Sequence, residues 1–288
     1  MTRIALATYS KLPTLNDDDR LLIPALAALG VTAVPAVWDS DAVCWDEFQG
    51  VLIRSLWDYH LRPLEFLDWI ARLEGGGVRA WNPGALLRWN HHKRYLRDLA
   101  ARGVATVPTR WLARGEPADL RALLADAGWR EAVIKPAISA SAFGTWRSST
   151  ATASRDQARL EALLSAGDVM VQPLVSEVSD AGEWSLVFLG GSFSHAVLKR
   201  PAAGDYRVQW EFGGSAVSAT PPEGVQADAE RVIAAAPGIA LYARADGVER
   251  DGRLVLMELE LIEPHLFLGW DNGAAARLAG ALRAALAR

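Results

Sequence analysis

Residues 242–263 read YARADGVERDGRLVLMELELIE, two apolar stretches joined across Arg250-Asp251-Gly252. Such a pattern predicts a β-hairpin. Side chains of a strand alternate between faces, so Glu258 and Glu260 fall on one face with Leu254 and Leu256. Val255, Met257, Leu259 and Leu261 take the other. Adjacent carboxylates repel unless a cation or a basic partner lies between them. Asp246, on the first strand, joins them if the turn holds an odd number of loop residues. An even loop places it on the opposite face. Three convergent carboxylates would suit Mg²⁺, which takes carboxylate, phosphate and water oxygens. The competing reading is an acidic strand facing solvent, and the apolar residues flanking both glutamates weigh against it.

A second stretch, VIKPAISASAFGT over residues 133–145, places Lys135 at a strand end before a loop of small residues. Backbone N–H groups of such a loop, with one ammonium, can surround a polyphosphate. No GKS or GKT follows, so this is not a Walker A loop. An exposed turn with a salt-bridged lysine is the alternative. Of 30 basic residues only Lys11, Lys93, Lys135 and Lys199 are lysines, and a compact ammonium suits single phosphate oxygens better than the arginine fork does. Lys199 and Arg207 flank PAAGDY, and Arg244 precedes Asp246 by two residues.

Elsewhere, RIALATY, TAVPAVW and GVLIRSLW read as strands, the second near an edge because of Pro35. A helix carries Leu21, Leu22, Ala25, Leu26 and Leu29 after Asp17-Asp18-Asp19, and PLEFLDWIARLE starts another. This order predicts a small parallel α/β lobe over residues 1–84. Residues 85–175 then hold a helix from about Asn90 to Ala101, the Lys135 loop, a helix near 155–166 and the strand VMVQPLV. Residues 176–288 hold a hairpin turned at Gly190-Gly191, the opening hairpin and two helices, an α+β texture. Trp57, Trp69 and Trp129 fall on apolar faces and are expected in the core; Cys44, between Val43 and Trp45, is expected to pack. His195 is expected to bond across its hairpin, and the other histidines lack ligand spacing.

Net charge is −4, so no basic footprint points to nucleic acid. No apolar run approaches about 18 residues, and the start MTRIALATYS lacks the pattern of a secretory signal. One cysteine fits a reducing compartment, and the expected location is cytoplasmic.

Taken in order, these motifs resemble the ATP-grasp superfamily, in particular its glutathione-synthetase and ribosomal-protein glutamate-ligase branch. The fold implied is α+β: two ATP-grasp lobes enclosing ATP, preceded by the α/β lobe. WNHHKRYLRDLAARGVATVPT resembles the segment whose lysine, here Lys93, reaches the nucleotide phosphates, and VIKPAISASAFGT the phosphate-covering loop, with Lys135, Ser139, Ser141 and Gly144. VMVQPLV resembles the strand meeting adenine, here Gln172, Pro173, Leu174 and Val175. Glu183 matches the ribose-binding acid, and Lys199 a further phosphate contact. By the same resemblance Asp246, Glu258 and Glu260 hold two Mg²⁺ ions, with Mn²⁺ as the alternative, while Arg244 and Arg207 face the developing negative charge. Glu260 and Gln209 stand where that branch has asparagine.

RSLWDYHLRPLEFLDW is similar to actinobacterial cyclo-ligases that form D-cycloserine from O-ureido-serine. Arg54, Trp57 and Asp58 then either line a substrate site or shape a strand–helix junction. The resemblance implies an ATP-dependent ligase joining a carboxylate to an amine through an acyl phosphate, on small-molecule acid and amine substrates, as a homodimer or homotetramer. A kinase that stops after phosphoryl transfer and a nucleotide-binding module without catalysis are the rivals.

Overall fold

RIALAT becomes β1 (Thr2–Thr8) in the computed structural model, which describes residues 2–202, 204–208 and 212–287. Its centre is buried because β2 (Val31–Val37) and β3 (Gly50–Ser55) pair with it in parallel on either side. β4 (Arg79–Trp81), three residues long and not expected from the sequence, extends the sheet to the order β2-β1-β3-β4. Pro35 therefore sits on an edge strand, as its missing N–H requires.

The helix expected after β1 is instead two, α1 (Asp17–Arg20) and α2 (Leu22–Ala27). Pro24 cannot donate to the carbonyl one turn earlier. The break keeps Leu22 and Leu26 buried but leaves Leu21 and Leu29 exposed. The α1 N-terminus is capped by Asn16, whose side chain accepts from the Asp19 N–H. α3 (Pro63–Gly75) opens with proline at its first turn and buries Phe66, Trp69, Ile70 and Leu73 against the sheet.

The helix expected over Asn90–Ala101 is shorter, α5 (Tyr95–Ala101), and a separate helix not expected from the sequence, α4 (Gly84–Asn90), precedes it. Between them the Lys93 N–H donates to Ala137 O at 2.8 Å, which ties the break to the loop before Ser139. β5 (Arg110–Leu112), α6 (Leu120–Ala127), β6 (Glu131–Pro136), β7 (Trp146–Ser149), α7 (Ala153–Ala166) and β8 (Val169–Pro173) complete an antiparallel sheet ordered β5-β8-β6-β7, with α6 and α7 over its apolar face.

Beyond α8 (Glu177–Asp180), a five-stranded antiparallel sheet runs β11-β10-β9-β12-β13. It comprises β9 (Glu183–Leu189), β10 (Ser192–Arg200), β11 (Ser215–Ser218), β12 (Tyr242–Arg250) and β13 (Arg253–Glu260), with α9 (Glu223–Ala234) covering one face. β9 and β10 turn at Gly190-Gly191, both with positive φ, as the sequence suggests. α10 (Ala274–Leu286) returns to pack on α2, so one core joins the first and last parts of the chain.

Two side-chain expectations change. Cys44 is exposed, because the loop before Trp45 turns it outward. Trp57 is only half-buried and lines a cleft, while Trp69 is fully buried as expected. Among the described residues no helix is long and apolar enough to cross a membrane. The architecture is α+β.

Candidate active site

The 242–263 hairpin turns on two residues, Asp251 and Gly252, both with positive φ, and Arg250 pairs with Arg253. With that even loop alone, Asp246 would face away from Glu258. The ladder instead slips by one residue: Gly247 pairs with Leu256 and Asp246 with Glu258, leaving Met257 as the extra residue of a β-bulge. The bulge moves Glu258 and Glu260 off the face of Leu254 and Leu256, correcting the alternation read from the sequence. Leu254 and Leu256 enter the core beneath α9. The glutamates face a cleft with Asp246 and Arg244, which pairs with Glu260. Gly247 is what the slip requires, since a Cβ there would lie 2.4 Å from Val255 O.

Two asparagines that carry no sequence signal hold this hairpin. Asn82 donates to Tyr242 O at 2.9 Å and Leu261 O at 2.8 Å, and accepts from the Leu241 N–H. Asn90 donates to Leu259 O at 2.8 Å and accepts from the Leu261 N–H at 2.9 Å. Both are buried, so each satisfies backbone groups that burial would otherwise leave unpaired.

The cleft lies between the second and third sheets, with Trp57 and Tyr59 reaching in from beyond β3. Lys93, Lys135, Ser139, Ser141, Gln172, Pro173, Leu174, Val175, Glu183, Lys199, Arg207, Arg244, Asp246, Glu258 and Glu260 all line it. Gly144 does not: it packs behind the loop, where a Cβ would meet Pro136 at 2.9 Å. Ser139 folds the loop on itself by donating to Phe143 O at 2.8 Å. Gln172 is tied to Thr109 at 2.8 Å. Gln209 lies outside the described residues. Of the other substrate-side expectations, only Trp57 lines the cleft. Arg54 is fully buried, bonded to Asp19 at 2.8 Å and to Pro264 O at 2.5 Å, and Asp58 binds Trp38 and Arg62. They shape the junction between lobes.

Charge in the cleft is almost fully paired. Lys93 bridges Glu258 and Ser139 O. Lys199 lies 2.5 Å from Glu183 and 3.6 Å from Asp246. Arg244 spans Asp246 at 2.8 Å and Glu260 at 2.5 Å, and donates to His265 O. Arg207 is held by Asp205 at 2.8 Å and lies over the Phe212 ring. Burial would raise the Asp246 carboxyl, but Arg244 and Lys199 outweigh it and hold it at about 2. Burial dominates at Glu260, pushed up to about 7 despite Arg244. Lys135 differs: among the described residues its side chain has no hydrogen bond or ion pair, and burial lowers its pKa although Glu258 and Glu183 act against that at longer range.

The donor chemistry fits Mg²⁺: carboxylate oxygens on one face of neighbouring strands, with room left for phosphate and water oxygens. Among the described residues no three acidic, His or Cys side chains converge on one point. Lys93, Lys199 and Arg244 hold the carboxylates instead.

Comparisons with known proteins give the family and the fold. The family model for D-cycloserine synthetase DcsG, N-terminal domain, matches residues 4–82. The cycloserine biosynthesis protein DcsG of Streptomyces lavendulae is 34% identical over 97% of this chain and 97% of its own. A crystal structure of D-cycloserine synthetase DcsG superposes with a TM-score of 0.89 at 32% identity, covering 99% of each chain. A D-alanine–D-alanine ligase from Bacillus anthracis, solved with ATP, shares the fold at a TM-score of 0.72 and 16% identity, over 100% of this chain and 98% of that one. The chain belongs to the D-cycloserine synthetase family of ATP-grasp ligases.

Proposed function

We propose that this ATP-dependent ligase activates the carboxylate of a small amino-acid-like substrate as an acyl phosphate and closes a C–N bond onto it, in natural-product biosynthesis. The observation that carries the reading is Lys135, a half-buried lysine whose ammonium has no hydrogen bond or ion pair among the described residues, in one cleft with three carboxylates already matched by cations. A polyphosphate entering that cleft supplies the missing anion.

In this reading Gln172 to Val175 border adenine and Glu183 takes the ribose. Lys93, Lys135 and Lys199 grip the phosphates, and Asp246, Glu258 and Glu260 hold two Mg²⁺ ions, with Mn²⁺ as the alternative. Bound metal would neutralise phosphate charge as the γ-phosphoryl moves. Lys93 and Lys199, released from Glu258 and Glu183, orient the triphosphate. Arg244 donates toward the oxygen that becomes negative when nitrogen attacks, and Arg207 swings from Asp205 to the same charge. The SASAFGT loop keeps water from the acyl phosphate. No nucleophilic side chain is needed. The enzyme so read is cytoplasmic and takes small-molecule acids and amines.

The test is phosphate release from Mg-ATP with a panel of amino acids, ureido-amino acids including O-ureido-serine, and small amines. Phosphate released in step with a new C–N bond is expected. A stable phosphorylated product would replace the ligase with a kinase, and silence across the panel together with no Mg-ATP binding would end the reading.

A further inference from the structure

Glu263 is the one buried carboxyl of the cleft, among the described residues, that neither an ion pair nor the proposed metal set uses. It is 8% exposed and lines the cleft three residues beyond Glu260. The donor that reaches its side chain is its own backbone N–H. The Lys93 ammonium acting on it is already bonded to Glu258 and Ser139 O. Arg244 and Lys199 are likewise held by Asp246, Glu260 and Glu183.

Its position is fixed, not incidental. Trp57 Nε1 donates to Glu263 O at 3.3 Å, and the next residue is clamped when Arg54 donates to Pro264 O. Trp57 and Tyr59 from the first lobe and His265 and Phe267 from the last segment line the same cleft. A buried carboxylate without a cation is unfavourable, and a pocket walled by aromatic rings favours an organic cation. An ammonium group meets both conditions, and a phosphate meets neither.

We infer that Glu263 receives the free ammonium group of the amino-acid substrate, with Trp57 and Tyr59 as the walls of that subsite. The assignment rests on the ligase reading above and names which end of the substrate lies away from the nucleotide. It makes Glu263 a specificity-determining residue: it holds a group that does not react and so orients the carboxylate toward the γ-phosphate.

The experiment compares kcat/KM, by phosphate release, for O-ureido-serine and its N-acetyl derivative, which lacks the ammonium. Wild type is expected to prefer the free amine by at least about tenfold, the scale of a charge-assisted hydrogen bond. Glu263→Gln, of the same shape, should reduce that preference to within about threefold, while KM for ATP and the melting temperature stay at wild-type values. Glu263→Asp should keep part of it. A Glu263→Gln enzyme that retains the full preference overturns the assignment and leaves the ligase standing. A wild type that turns over neither compound nor any member of the wider panel removes the ligase reading and the assignment with it.

Discussion

The Lys135 side chain makes no hydrogen bond or ion pair among the described residues, and this sets it apart from Lys93 and Lys199; Glu258 and Glu183 act on it only at longer range. Replacing a paired lysine strands a buried carboxylate and harms folding as well as function. Replacing Lys135 breaks no ion pair, but it removes the second ammonium, after Lys93, whose field steadies the Glu258 carboxylate. Lys135→Ala is therefore expected to lower the melting temperature less than Lys93→Ala does, while kcat/KM for ATP falls about 10²- to 10³-fold, the scale of a lost electrostatic contact to a transferring group. Lys93→Ala should lower both, because Glu258 loses its partner. A Lys135→Ala protein with wild-type ATP kinetics, measured by coupled ADP release, would remove this lysine from the phosphate site. The placement was legible in the sequence: Lys135 is expected at a strand end before a loop of small residues, and it stands at the end of β6 and lines the cleft. The state of each lysine was not legible, because it depends on Glu258 and Glu183, which lie far along the chain.

At the scale of elements, the β12–β13 bulge decides whether a row of carboxylates exists. Strand alternation gave the right residues by an incomplete argument. The loop is even, and the parity rule alone would have dispersed Asp246 from Glu258. What alternation cannot see is a one-residue slip, because a bulge is selected by how closely two backbones approach. Here that approach leaves a Cβ at Gly247 only 2.4 Å from Val255 O and 2.8 Å from Leu254 Cδ1. Gly247→Ala should thus force the strands apart, costing about 1–3 kcal/mol by overpacking. Mg-ATP turnover should fall further than that loss explains, since Asp246 and Glu258 separate. Urea unfolding alongside phosphate release checks both halves, and an active, fully stable Gly247→Ala would show that the bulge does not set the site. Asn82 and Asn90 were illegible for a related reason: an amide that bonds backbone 160 or 169 residues away leaves no local periodicity. Asn82→Ala leaves Leu241 N–H, Tyr242 O and Leu261 O buried without that partner, and is expected to cost about 2–4 kcal/mol in the same urea assay.

Across the whole molecule, one segment is held by both the first lobe and the last. Between Leu261 and Trp270 its carbonyls accept from Asn82, Arg54, Trp57, Arg244, His195 and Ser218, and the Gly269 N–H donates to Asp18. The cleft keeps its shape because this strap fixes Glu260 and Glu263 relative to both the first lobe and the five-stranded sheet. His195 is the one titratable clamp among those donors to the strap. The sequence suggested a bond across its own hairpin, whereas its Nε2–H donates to Leu266 O at 3.0 Å and its Nδ1 accepts from Ser194. Burial, countered by the Leu266 carbonyl and Asp271, holds the imidazole below its ordinary 6.5. A histidine lowered on folding is neutral in both states above 6.5. As pH falls below that value the unfolded chain takes the proton first, so the clamp's contribution is lost toward the folded pKa. Glu260, pushed up to about 7 by burial, titrates in the same range with the opposite sign. The informative quantity is therefore the difference between wild type and His195→Asn, in which the distant term cancels. That difference in melting temperature should be largest at pH 7.5 and shrink steadily from about pH 6.5 to 5. A constant difference across the range would mean that His195 does not hold the strap as a neutral imidazole.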